Sequence, residues 1–313
     1  MGTAAEPRVF RLNFFPKATT MKLARYTHHG VTTIGAVQAD RVIALSSLLP
    51  TVPGTIREVL AAGSDLLRDL NVALARASAD AGVPLGAVRL QAPIPDAQKY
   101  LAIGMNYQDH ADEAAAAGIN IPKNQLWFNK QVSCITGPYD AVIKPRVSAK
   151  MDYEAELGVV IGKRCRYVSE ADARSVIGGY FVSNDLTARD WQFASPTYTL
   201  GKSFDTHGPT GPWITTADEI DDPHALQMRL WVNGELRQQA GTKMIHNIWQ
   251  QIHHLSQVMT LEPGDLIATG TCAGVGIGMG KFLLPGDVVR VEIEGLGYIE
   301  NAVIEDPVAA YAA

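Results

Sequence analysis

The stretch MDYEAELGVVIG, residues 151–162, constrains the fold more than any other part of the chain. Its second half, LGVVIG, is apolar enough for a buried strand, yet Glu154 and Glu156 stand two residues apart at its start. Glutamate is depleted in strands and is rarely buried without a partner. Alternate residues of a strand share a face. Tyr153, Ala155, Leu157, Val159 and Ile161 therefore make an apolar, core-facing side, and Glu154, Glu156, Gly158 and Val160 make the other. The two glutamate Cα atoms would lie roughly 6.5–7 Å apart, so their carboxylates can converge on one point. Two bare anions that close destabilise each other unless one takes up a proton or a cation sits between them. On spacing alone a solvent-facing sheet edge would suit them equally well. The next strand-like segment, GGYFVSND, tips the balance, because it ends at Asp185 and offers a third carboxylate. Three carboxylates without nearby His or Cys form a hard-oxygen site, suited to Mg²⁺ with Mn²⁺ or Ca²⁺ as competitors, and unsuited to zinc.

The rest of the pattern sets the architecture. Segments KLARYTH, TTIGAV and RVIAL in residues 21–45 read as short strands, and residues 56–81 switch to helical periodicity broken at Gly63. A proline-bearing connector, QAPIPDAQ at 91–98, marks a boundary. Beyond it, strands are expected at KYLAIG, LWFNK, AVIKP, YEAELGVVIG and GGYFVSND. HADEAAAAG is a short helix ending at Gly118, and NIWQQIHHLSQVMT (247–260) is an amphipathic helix. LQMRLWV-NG-ELRQ is the clearest hairpin, since Asn-Gly fits a type I′ turn. Strands and helices do not alternate regularly, which excludes a doubly wound sheet. The expected class is α+β and mostly β: an extension over 1–20, a small α/β domain over 21–92, and a mixed β-sandwich or roll over 96–308.

Composition narrows the partners. The net charge of −5 gives no electrostatic reason to bind nucleic acid or an anionic membrane, and no apolar run approaches the length of a transmembrane helix. Three widely spaced cysteines without a CxxC, and no long apolar leader in the first twenty residues, fit a reducing compartment, the cytoplasm. The glycine-rich stretches LGKS and GVGIGMGKF satisfy neither the P-loop nor the GxGxxG pattern, which argues against a nucleotide.

The motifs IGMNYQDHADE, MDYEAELGVVIGK, GGYFVSNDLTARDWQ, GKSFDTHGPTGPW, VNGELRQ, LEPGDLIATGTCAGVG and LPGDVVRVEIEGLGYIEN occur in that order. Together, over about 99–304, they resemble the fumarylacetoacetate hydrolase family. The resemblance implies a divalent cation on Glu154, Glu156 and Asp185, and a catalytic His110–Glu113 dyad on a lid that orders over ligand. It implies further roles for Lys202 in catalysis and for Arg189, Gln192 and Thr271 in substrate binding, and it implies a homodimer. His110 and Glu113 are neighbours on a helix at i,i+3 spacing, where the glutamate orients the imidazole as a general base needs. A plain surface pair is the dull alternative, as are an Arg189–Asp190 pair and a surface Lys202. His207 is close to Lys202 in sequence and is assigned no role.

The chemistry consistent with these residues is hydrolysis of a C–C bond in a 1,3-diketone or acylpyruvate substrate, with the enolate stabilised by the metal. The substrate is then a small dicarbonyl or 2-oxo acid. The same scaffold equally serves a β-keto acid decarboxylase, a 2-hydroxy-diene-dioate isomerase or a diketo-deoxy sugar acid hydrolase. A non-catalytic, metal-stabilised protein is the reading outside enzymes.

Overall fold

The computed structural model describes residues 21–307 apart from 117, 119, 120 and 122; the expected extension over 1–20 lies outside the described residues. The fold is α+β and mostly β. A 12-stranded sheet forms its spine. Strand beside strand, the path runs from Arg41–Ala44 through Val31–Gln38 and Lys22–His28 to Gly208–Thr216. It continues through Ile177–Asn184, Ala155–Ile161, Leu266–Ala268 and Tyr100–Gly104 to the edge strand Leu126–Lys130. A second sheet of five strands orders as Glu235–Gly241, Gln227–Val232, Val288–Ile293, Gly297–Glu305 and Val142–Lys144. Its inward residues, among them Met228, Leu230 and Val291, pack on Leu157, Val159 and Ile161 in one apolar cluster. Helix Ile248–Val258 adds Ile248, Ile252 and Leu255 to that cluster.

The opposite face of the large sheet is covered by the N-terminal helices. Ile56–Ala61 and Ser64–Arg76 send Leu60, Leu70 and Leu74 against Val160 and Phe181. Thr55 and Glu58 close a capping box that starts the first of these helices. The helical run ends at Arg76 rather than at 81, because Ala77 turns to an extended conformation. The result is three layers, with Ala155–Ile161 buried on both faces, as a strand in the middle layer must be.

One expectation needs correcting. The continuous strand from Tyr153 to Gly162 is interrupted: Met151–Asp152 pairs with Thr187–Ala188, and only Ala155–Ile161 pairs with Ile177–Asn184. The chain changes partners at Tyr153–Glu154, and side chains take the backbone donors that the ladder leaves. Asn184 Oδ1 accepts from Glu154 N at 3.0 Å, and Gln238 Oε1 accepts from Ala155 N at 2.9 Å. The Asn-Gly hairpin forms as the sequence indicates, with φ of 52° at Asn233 and 78° at Gly234. No helix among the described residues is long and apolar enough to cross a membrane.

Candidate metal centre and active site

The partner switch delivers the acids. Glu154 sits in the break between the two strand segments, and its carbonyl accepts from Asp185 N at 2.9 Å, one residue past the end of Ile177–Asn184. Glu156 lies within Ala155–Ile161, and its Oε2 accepts from Gly270 N at 2.8 Å. Gly270 has φ +101°, a region that favours glycine, and an added Cβ there would lie 2.7 Å from Asn106. The ligand atoms of Glu154, Glu156 and Asp185 all fall within 4.8 Å of one another, and all three residues are buried.

Three cations surround them. Lys202 Nζ lies 2.8 Å from Glu154 Oε2 and 2.8 Å from Asp185 Oδ2. Lys130 Nζ lies 2.6 Å from Asp185 Oδ1 and also donates to the Lys202 carbonyl. Arg189 donates through Nη1 to Glu154 Oε1 at 2.7 Å and through Nε to Asp152 Oδ2 at 2.7 Å. Asp152, Glu154, Glu156 and Asp185 thus face Lys130, Lys202 and Arg189, one positive charge short of balance. Buried charges are tolerated only when compensated. Among the described residues Glu156 has no cationic side chain in salt-bridge range. Burial, with Asp185 and Glu154 beside it, pushes its carboxyl well above the usual range. Burial works the same way on Glu154, but Lys202 and Arg189 outweigh it and hold that carboxyl at about 2. For Lys202, burial opposes the charge, and Asp185 and Glu154 overcome it to raise its pKa.

A hard divalent cation fits this donor set. All ligand atoms are carboxylate oxygens, each oxygen keeps acceptor capacity beyond its present partner, and the cluster lacks positive charge.

A cavity opens above Glu154 and Lys202. Helix Gln108–Ala116 brings His110 to its wall, with Nδ1 3.1 Å from Glu113 Oε2. The glycine-rich stretch GVGIG, unpromising as a nucleotide loop, closes another side. Gly274 N donates to Glu113 Oε1 at 3.5 Å, and a Cβ on Gly278 would lie only 2.2 Å from that oxygen. Arg189, Gln192 and Thr271 also line the cavity. Arg189 donates from Nη1 to Gln192 Oε1 at 3.0 Å, while its buried Nη2 has no protein partner. Thr271 Oγ1 accepts from Gln238 Nε2 at 2.9 Å.

This geometry agrees with what comparison finds. The model of the fumarylacetoacetate hydrolase C-terminal domain matches residues 99–304. The chain belongs to the fumarylacetoacetate hydrolase family. A Burkholderia lata relative is 42% identical over 285 residues, covering 88% of this chain and 96% of its own. The crystal structure of maleylpyruvate hydrolase from Sphingobium sp. SYK-6, in complex with manganese(II) ion and pyruvate, superposes with a TM-score of 0.77 at 33% identity. That match covers 92% of this chain and 100% of the other. The 2-hydroxyhepta-2,4-diene-1,7-dioate isomerase of Mycobacterium marinum gives a TM-score of 0.72 at 32% identity, covering 91% and 99%. The family thus contains hydrolases and isomerases on one scaffold.

All nine residues singled out from the sequence of this family member converge on the acidic triad or its cavity. The dull alternatives for two of them fail. Arg189 pairs with Asp152 and Glu154, whereas Asp190 accepts from Ser148 Oγ at 2.6 Å and Ala149 N at 3.2 Å. Lys202 is buried at 1% exposure rather than on the surface. Two residues of the site escaped the sequence reading. Lys130 shares a strand face with Phe128, an apolar parity that marks it as buried. Asp152 extends the alternation of Glu154 and Glu156 by one step, and it also accepts from Gly276 N at 2.6 Å and Ile277 N at 2.9 Å. His207 is buried away from the cavity, with Nε2 3.1 Å from the Ile143 carbonyl.

Proposed function

We propose that the protein is a divalent-cation-dependent hydrolase that cleaves the C–C bond of an acylpyruvate, a 2,4-dioxo acid. The observation that carries this reading is the His110 ring: Nδ1 is committed to Glu113, and the side chain lines the same cavity as Glu154 and Lys202. A base held in one tautomer beside a carbonyl-binding site is what water activation requires, and decarboxylation requires no activated water.

Mg²⁺ is the proposed ion, with Mn²⁺ able to replace it, held by Glu154, Glu156 and Asp185; it would supply Lewis-acid polarisation of the 2-oxo acid end. The chain's own groups do the rest. Arg189 Nη2 offers an unpartnered donor to the substrate carboxylate. His110 Nε2 takes a proton from water, whose oxygen adds to the acyl carbonyl. Lys202 and Gln192 stabilise the charge that develops on the carbonyl oxygen. The C–C bond then breaks, its electron pair stays with the pyruvate half, and the proton held on Nε2 returns to that carbon. A carboxylic acid and pyruvate leave.

Glu113→Gln and His110→Ala test the dyad. Each should lower kcat for acylpyruvate hydrolysis by roughly 10²–10⁴-fold, with calorimetric Mg²⁺ and Mn²⁺ affinity unchanged. Full hydrolysis by His110→Ala alongside lost oxaloacetate decarboxylation would reverse the ranking of the two reactions. The three cysteines are free, which suits the reducing cytoplasm proposed as its compartment.

A further inference from the structure

The lysine and arginine of the cavity sit at its floor. Lys202 and Arg189 pair with Glu154 of the acidic triad, whereas Glu113, paired with His110, lies against the glycine-rich turn at Gly274 and Gly278. From Lys202 an aromatic wall leads away. Its Nζ stands 5.1 Å from the centroid of the Phe128 ring, Phe128 meets Tyr198 edge-on at 6.0 Å, and Tyr198 meets Phe193 edge-on at 6.3 Å. Phe128 is buried and Phe193 is 48% exposed, so the wall runs from the charged floor to the mouth. Leu126, Val275 and Ile277 face the same space.

Among the described residues, Lys202 and Arg189 are the lysine and arginine side chains lining the cavity. Both are committed at the floor. The Lys202 ammonium lies between Glu154 and Asp185, and Arg189 keeps a single unpartnered nitrogen. The described residues therefore offer a counter-ion for one carboxylate, the one on the 2-oxo acid end. A second carboxylate on the acyl end would be taken from water against aromatic rings with no lysine or arginine among the described lining residues to pair it, which is strongly unfavourable. Glu113, which also lines the cavity, would repel it as well.

We propose that the acyl group accepted here is apolar, an aryl or longer alkyl group without a terminal carboxylate, and that Phe128, Tyr198 and Phe193 determine this specificity. The inference rests on the acylpyruvate reading for the polar end of the substrate. It separates this chain from the structural neighbour named for maleylpyruvate, whose acyl group ends in a carboxylate.

The test has a binding arm and a turnover arm, both on the full chain loaded with Mn²⁺. Calorimetry compares 2-oxo-4-phenylbutanoate with 2-oxoglutarate, two 2-oxo acids that differ in an aryl or a carboxylate terminus. The aryl acid should bind at least about tenfold more tightly, the scale expected from burying a phenyl group. In turnover, kcat/KM for 2,4-dioxo-4-phenylbutanoate should exceed that for maleylpyruvate by at least about tenfold on the same grounds. Phe193→Arg, which places a cation at the exposed mouth, should narrow both ratios while Mn²⁺ affinity holds. Equal or tighter binding of 2-oxoglutarate overturns the proposal, as does a turnover preference for maleylpyruvate. If neither dioxo acid is hydrolysed while the aryl binding preference persists, the hydrolase reading fails and the specificity inference stands.

Discussion

Glu113 holds the His110 ring through Oε2 and rests Oε1 where a side chain on Gly278 would otherwise be. The atom that a Gly278→Ala methyl would strike is the far end of a flexible side chain, so the fold can absorb the change by swinging Glu113 aside. That movement would release the imidazole from its orienting partner. Gly278→Ala should therefore lower kcat by an order of magnitude or more, on the scale of lost general-base assistance, with unchanged thermal stability and Mn²⁺ affinity. Adding Glu113→Asp, one methylene shorter, should restore part of that loss, and steady-state kinetics of the single and double variants would show it. At this scale the sequence was informative wherever chemistry repeats at short spacing. Glu154 and Glu156 were legible by their i,i+2 spacing, although Glu154 falls in the break just before Ala155–Ile161, and His110 and Glu113 were legible by helical spacing. The partnership of Arg189 with Asp152 was not. It depends on Met151–Asp152 pairing with Thr187–Ala188, a long-range register that no local pattern encodes.

Among the elements, Ala155–Ile161 shows why a strand in a middle layer departs from simple alternation. Its odd-numbered residues meet the five-stranded sheet, and Val160 meets the helical layer. Gly158, on the glutamate side, is paired opposite Phe181 and leaves room for that ring. A Cβ there would lie 2.4 Å from two ring carbons. Gly158→Ala should destabilise the protein by ~1–3 kcal/mol, the usual cost of overpacking a core, read as a lower urea midpoint with an unchanged slope. The strand's existence was evident from its apolar run, and the Asn-Gly turn from its chemistry. The break at Tyr153–Glu154 was hidden, because the donors it frees are satisfied by Asn184 and Gln238, 30 and 83 residues away. Such long-range side-chain substitution leaves no mark on the local hydrophobic pattern.

Across the whole molecule, the layered core carries an acid-sensitive group of its own. His207 is fully buried, and burial, reinforced by the nearby Lys130 charge, depresses its pKa from 6.5 to about 3. The unfolded chain takes up a proton below pH 6.5 that the native protein refuses until about pH 3. Above pH 6.5 the ring is neutral in both states and contributes no difference; as the pH falls from 6.5 towards about 3 only the unfolded chain gains the proton, and native stability falls by ~1.4 kcal/mol for each pH unit. Urea unfolding at pH 7 and pH 4.5 should show a smaller difference for His207→Gln than for the unsubstituted protein. The overall class was readable from the irregular succession of strands and helices. The sheet order was not, because contacts such as Lys22 with Thr215 join distant parts of the chain.

That last contact bears on how the protein can be taken apart. Lys22–His28 lies between Val31–Gln38 and Gly208–Thr216, so one hydrogen-bonded sheet runs from the N-terminal strands into the layer that carries the acids. Severing the connector near residue 95 and discarding what precedes it would strip a neighbour from Gly208–Thr216. It would also uncover Val160 and Phe181 where Leu60 and Leu70 now lie. The fragment left behind would present a raw strand edge beside a sticky apolar face, the combination from which intermolecular pairing and aggregation begin.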